Sequence, residues 1–101
     1  MLDIYKELAL FDNNTAHQFE LRVDGHLARI EYKRSGERIF LMHTEVDKAL
    51  EGKGVGTAII EKTLEFIERN KWELVPYCPF VIAYLKRHPE WKRLLAPEVT
   101  L

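Results

Sequence analysis

Cysteine is almost missing from this chain: Cys78 stands alone among 101 residues. A single thiol excludes an intramolecular disulfide framework and suits a reducing compartment. Long apolar runs are missing as well, for no stretch approaches the ~20 apolar residues of a membrane span. The opening residues Met1-Leu2-Asp3-Ile4-Tyr5-Lys6-Glu7 carry charges where a secretory leader has its apolar segment. The expectation is a soluble, cytoplasmic protein with no membrane partner. Neither sign of charge is in surplus, since 15 Lys+Arg face 16 Asp+Glu. That balance argues against a nucleic-acid partner, which asks for a clear basic excess. Metal-ligand spacing is also lacking. His17, His26, His43 and His88 form no ligand pattern and Cys78 has no second thiol, so no metal is expected. No repeat or low-complexity segment is visible.

What is present is the 47% hydrophobic and 31% charged balance of a globular protein. The length predicts one small domain over residues 1–101, with residues 1–16 an N-terminal segment of unassigned role. Leu2, Ile4, Leu8, Leu10 and Phe11 follow no single period, and Asp12-Asn13-Asn14-Thr15 reads as a polar turn. Then the period drops to two. Phe19, Leu21 and Val23 alternate with Glu20, Arg22 and Asp24, which predicts a half-buried strand. Asp24-Gly25 predicts a hairpin turn with two positive φ angles. A second strand follows through Leu27, Ala28, Ile30 and Tyr32, and Ser35-Gly36 turns into a third from Ile39 to Val46.

Gly52, Gly54 and Gly56 interrupt at this point, and the period becomes helical. Val55, Ile59, Ile60, Thr63, Leu64, Phe66 and Ile67 fall on one half of the wheel; Thr57, Glu61, Lys62, Glu65, Glu68 and Arg69 fall on the other. Asn70 and Lys71 mark the exit. Trp72, Leu74 and Val75 predict a short strand that stops at Pro76 and runs parallel to the third. Pro79 opens a second helix with Phe80, Val81, Tyr84 and Leu85 as its apolar face, and His88-Pro89 ends it. The predicted fold is α/β (α+β) with a mixed sheet: an antiparallel three-strand meander, a helix, a parallel strand and a C-terminal helix.

Glu51-Gly52-Lys53-Gly54-Val55-Gly56-Thr57 lies where a strand hands over to a helix. Glycines there let successive N–H groups converge, and the helix start adds partial positive charge, so the segment can cradle a diphosphate. The same glycines also suit a tight strand-to-helix connection with no ligand. Gly56 is followed by Thr57-Ala58 rather than Lys-Ser/Thr, and the spacing is G-x-G-x-G, so neither the P-loop nor the dinucleotide fingerprint matches.

The run His43-Thr44-Glu45-Val46, the glycine segment, the amphipathic helix and Pro76-Tyr77-Cys78-Pro79 resemble the GNAT superfamily of acyl-CoA N-acyltransferases, in its abridged single-domain branch. The resemblance spans residues 17–95. It implies that the coenzyme A diphosphate sits on the amides of Lys53, Gly54, Val55, Gly56 and Thr57. It also implies that the pantetheine arm lies like an added strand on the backbone of Glu45 and Val46. Glu51 stands where the family carries Gln or Arg, so no side-chain contact is expected there. The implied activity is acetyl-CoA-dependent N-acetyl transfer to an amine, on a small molecule or a protein. A non-catalytic acyl-CoA-binding or protein-interaction module on the same fold is the alternative.

Four residues are candidates for the chemistry. Cys78, between Pro76 and Pro79, would cap the second helix, where the dipole favours the nucleophilic thiolate; it equally suits a small core residue. Tyr84 resembles the family tyrosine that protonates the departing thiolate. His43 and Glu45 alternate with Thr44, so both face one side of the third strand, where either can deprotonate an ammonium. His88 reads as a helix-end cap, and Lys86, Arg87, His88, Lys92 and Arg93 as a solvated basic face.

Overall fold

The computed structural model describes residues 1–101. Five strands form one sheet in chain order: β1 (Phe11–Asn13), β2 (Gln18–Val23), β3 (His26–Ser35), β4 (Arg38–Val46) and β5 (Glu73–Pro76). The first four are antiparallel, and β5 joins β4 in parallel after helix α1 (Val55–Arg69). Helix α2 (Pro79–Arg87) follows β5, and 3-10 turns cover Asp3–Tyr5, Lys48–Leu50 and Pro89–Leu94. The predicted mixed sheet and element order are thus present. No helix is long and apolar enough to cross a membrane.

Asp24 and Gly25 both have positive φ, as the β2–β3 hairpin requires. The alternation of β2 buries Phe19, Leu21 and Val23 against α1. Helix α1 ends with Lys71 at φ 57°, while the Lys71 and Trp72 amides bond back to Glu68 and Ile67. That left-handed exit normally takes glycine.

Two expectations need correction. The cluster Asp12–Thr15 is only partly a turn, because Asp12 and Asn13 pair with Phe19 and Gln18 in β1, extending the meander to four strands. Their side chains are used across the sheet: Tyr32 donates to Asp12 Oδ1 at 2.5 Å and Asn13 to Glu20 Oε2 at 3.0 Å. Local turn propensity does not register such partners. On α1, Ala58 and Lys62 are buried although the wheel placed Lys62 outside. The N-terminal segment covers that side: Tyr5 joins the core and Lys62 Nζ donates to the Lys6 carbonyl at 3.4 Å.

Candidate functional site: a crevice between β4, α1 and α2

Strands β4 and β5 pair only from Arg38↔Glu73 to Leu41↔Pro76. The Leu41 carbonyl accepts from both Tyr77 (2.9 Å) and Cys78 (3.0 Å), and the chain then leaves β4 to begin α2. The remainder of β4, from Met42 to Val46, has β3 on one side only. Its register with β3 jumps from Tyr32↔Leu41 to Glu31↔His43, so Met42 is an extra residue in a bulge. The bulge reverses which side chains face inward. Before it Ile39 and Leu41 are buried; after it His43 and Glu45 are exposed while Thr44 and Val46 are half-buried.

The backbone of the open stretch follows from one bond. Asp47 N–H donates to the Leu27 carbonyl of the β3 side at 3.0 Å. In an antiparallel ladder alternate residues point the same way. Glu45 therefore also directs its N–H and C=O to β3, and Thr44 and Val46 direct theirs to the open edge. Val46 thus has its backbone groups on the open edge, while those of Glu45 are turned to β3 and Thr44 is the second residue facing that edge.

The crevice between this edge and the start of α2 continues to the glycine segment. It has a volume of about 250 Å³ and is lined by Val46, Leu50, Gly54, Gly56, Thr57 and Phe80 among others. Gly52 and Gly54 have φ of 75° and 77°, a conformation that favours glycine. Gly56 is a glycine for space, since a Cβ there would lie 3.0 Å from Phe80 Cζ and 3.7 Å from Val46 Cγ2. Gly54 is the N-cap of α1 and supplies no side-chain cap, so the amides of Gly54, Val55, Gly56 and Thr57 find no acceptor in the protein. The Lys53 amide differs from expectation. It donates to the Leu50 carbonyl at 3.3 Å, closing the turn after Asp47, so its N–H is already committed. Four free amides at a helix start, beside a strand edge with free donors and acceptors, fit an elongated ligand with one anionic end.

Cys78 is the N-cap of α2, as its place between prolines suggests. Its thiol is buried (2% exposed) and lies 3.3 Å from Thr44 Oγ1. Thr44 was not among the candidates. Its inward direction depends on the Met42 bulge, and nothing in the alternation of His43-Thr44-Glu45-Val46 reveals that.

A family model described as GCN5-related N-acetyltransferase matches residues 18–94. The chain belongs to the GCN5-related N-acetyltransferase family. The solution structure of a GCN5-like protein from Staphylococcus aureus superposes with a TM-score of 0.67 at 22% identity, covering 90% of each chain. That likeness concerns the fold. Among curated protein sequences there is no match.

Within this GCN5-related fold His43 and Glu45 lie apart from Cys78. His43 and Glu45 do share a face, 3.8 Å from one another, but it is the outer face of β4, opposite Thr44 and the thiol. Strand pairing adds Glu31 there, and the three side chains offer ligand atoms within 4.8 Å of one another, a grouping hidden by their distance in sequence. Arg29 already occupies it, donating to Glu31 at 2.6 Å and Glu45 at 2.5 Å. Burial works against the Arg29 charge, but Glu45 and Glu31 more than restore it. Glu45 is thus an ion-pair partner rather than a free base, and the guanidinium opposes a metal cation at the same spot.

Tyr84 is buried, with its ring stacked on His88 at 4.3 Å. Burial, then the carboxylates of Glu61 and Glu90, push its phenol up to about 12. Those neighbours put its hydroxyl towards α1 and the Pro89–Leu94 turn. Of the basic cluster, Arg93 pairs with Glu68 at 2.6 Å and tethers that turn to α1.

Proposed function

We propose that this protein transfers an acetyl group from acetyl-CoA to an amine. The observation that carries the reading is one crevice that joins the four free amides of Gly54–Thr57 to Val46 on the open edge of β4 and to Phe80 at the start of α2, two residues from Cys78. The diphosphate of acetyl-CoA would take the amides, where the helix start adds favourable charge. The pantetheine amides would pair with Thr44 and Val46, and the thioester would reach the Thr44–Cys78 end.

In direct transfer the amine attacks the thioester carbonyl, the oxyanion is held by backbone donors of the β4 edge, and the thiolate leaves. A phenol near 12 is a weak acid towards a thiolate whose conjugate acid lies at about 8.5. The ammonium formed by the attacking amine is a second source of that proton. In the covalent route the Cys78 thiolate displaces coenzyme A, forming an acetyl-thioester, and the amine then releases the thiol. The acceptor would approach from the outer face, beside a hollow of about 660 Å³ that reaches from Met42 to His17, Lys33 and Arg34. His43 is exposed on that face and, lying opposite Thr44 and Cys78, would serve as a base only through intervening water.

Calorimetric titration with acetyl-CoA, followed by intact-mass analysis, tests the reading. Saturable binding is expected. A mass gain of one acetyl group that vanishes in Cys78→Ala assigns the covalent route; binding without it, and turnover retained in Cys78→Ala, assigns direct transfer. Binding with no turnover across a panel of peptide and polyamine acceptors indicates a sensor. Absence of binding up to millimolar acetyl-CoA overturns the proposal.

A further inference from the structure

The Lys53–Gly54 peptide is the hinge of the free-amide segment. Its plane lies between the Cα atoms of Lys53 and Gly54; Gly54 and, one residue before Lys53, Gly52 are both left-handed, and α1 begins immediately after it. The glycine at its C-terminal end leaves such a plane freer to rotate than a residue with a side chain would. What fixes it comes from the other end of the chain. The Tyr5 hydroxyl donates to the Lys53 carbonyl at 2.7 Å, across 48 residues. Tyr5 is only 4% exposed, packed in the core at the end of the Asp3–Tyr5 turn. In a trans peptide the C=O and the following N–H point in opposite directions. Holding the Lys53 carbonyl back towards Tyr5 therefore turns the Gly54 N–H away from Tyr5; Gly54 lines the crevice, which Tyr5 does not, as well as the adjoining hollow at Met1 and Leu2. It also keeps a carbonyl oxygen, which would repel an anion, out of that space.

We infer that Tyr5 is a positioning residue for anion binding at Gly54–Thr57. This rests on the proposed acetyl-CoA site and assigns the unplaced N-terminal segment a part in it. The Tyr5 hydroxyl touches no ligand; it sets the direction of the peptide that does.

Tyr5→Phe keeps the buried ring and removes only the donor. Amide NMR titrations, which read affinities into the millimolar range, compare acetyl-CoA with S-acetylpantetheine, which has the same thioester arm but no diphosphate. Loss of one oriented hydrogen bond predicts that Tyr5→Phe binds acetyl-CoA about 3- to 12-fold more weakly. S-Acetylpantetheine should bind as it does to the unaltered chain. Equal affinity of both proteins for acetyl-CoA overturns the inference alone. So does parallel weakening for both ligands, which marks a general packing effect. If the unaltered chain does not bind acetyl-CoA, the functional proposal falls and the inference falls with it.

Discussion

At Gly56 the missing side chain and the site meet in a single measurable quantity. A Cβ would sit 3.0 Å from Phe80 Cζ, tighter than ordinary contact, so the ring must give way. Phe80 is half-exposed and borders the crevice, so it can yield, at the expense of the space between it and Val46. Alanine also gains about 1 kcal/mol of helix propensity over glycine. Gly56→Ala should therefore leave the thermal midpoint within a few degrees of the parent while weakening acetyl-CoA binding about tenfold or more. Parallel melts and calorimetry separate the two; undiminished affinity would show that the crevice does not hold the ligand. The sequence makes Gly56 a candidate through spacing, but only the approach of Phe80 from another helix explains why alanine does not serve.

Among the elements, α1 shows how far periodicity reaches. It identifies the core stripe through Ile59, Ile60, Leu64 and Ile67, all fully buried. It also places Thr63 there, and Thr63 Oγ1 is a buried polar atom without a hydrogen-bond partner. An unsatisfied hydroxyl in such a place costs about 1 kcal/mol or more, and Val has nearly the same shape and helix propensity. Thr63→Val is expected to raise unfolding free energy by about 1 kcal/mol in a urea titration with unchanged slope. A loss of stability would mean that Thr63 has a partner after all. The wheel misjudges Lys62 because a one-helix projection contains only one neighbour, whereas the folded α1 also meets the N-terminal segment. Strand β4 fails in the same manner: alternation is correct on each side of Met42, but the bulge exchanges the faces between them.

For the molecule as a whole, one apolar cluster links the sheet, both helices and Tyr5. Such a core predicts cooperative unfolding, with Trp fluorescence and far-UV circular dichroism giving coincident transitions. A ligand bound only by the folded state adds stability by mass action, about 2.7 kcal/mol at a hundredfold excess over Kd. For a chain this small that corresponds to a rise in midpoint on the order of 10 °C. A melt with saturating acetyl-CoA that shows no shift would contradict the proposed site.

The sequence by itself determined the helices, the hairpins, the parallel last strand and the glycine segment, because these depend on periodicity and turn chemistry between near neighbours. It also pointed to Cys78 as the N-cap position of α2, since flanking prolines are a local signal. The tertiary structure alone decided which candidates share a space. It put Thr44 beside Cys78 and carried His43 and Glu45 to the opposite face, where Arg29 neutralises Glu45. It turned Tyr84 towards Glu61 and Glu90, and brought Tyr5 to the Lys53 carbonyl. The physical reason is common to all four. A one-residue bulge, a strand register or a hydrogen bond between distant segments is settled by partners far away in sequence, and local propensities contain no term for them.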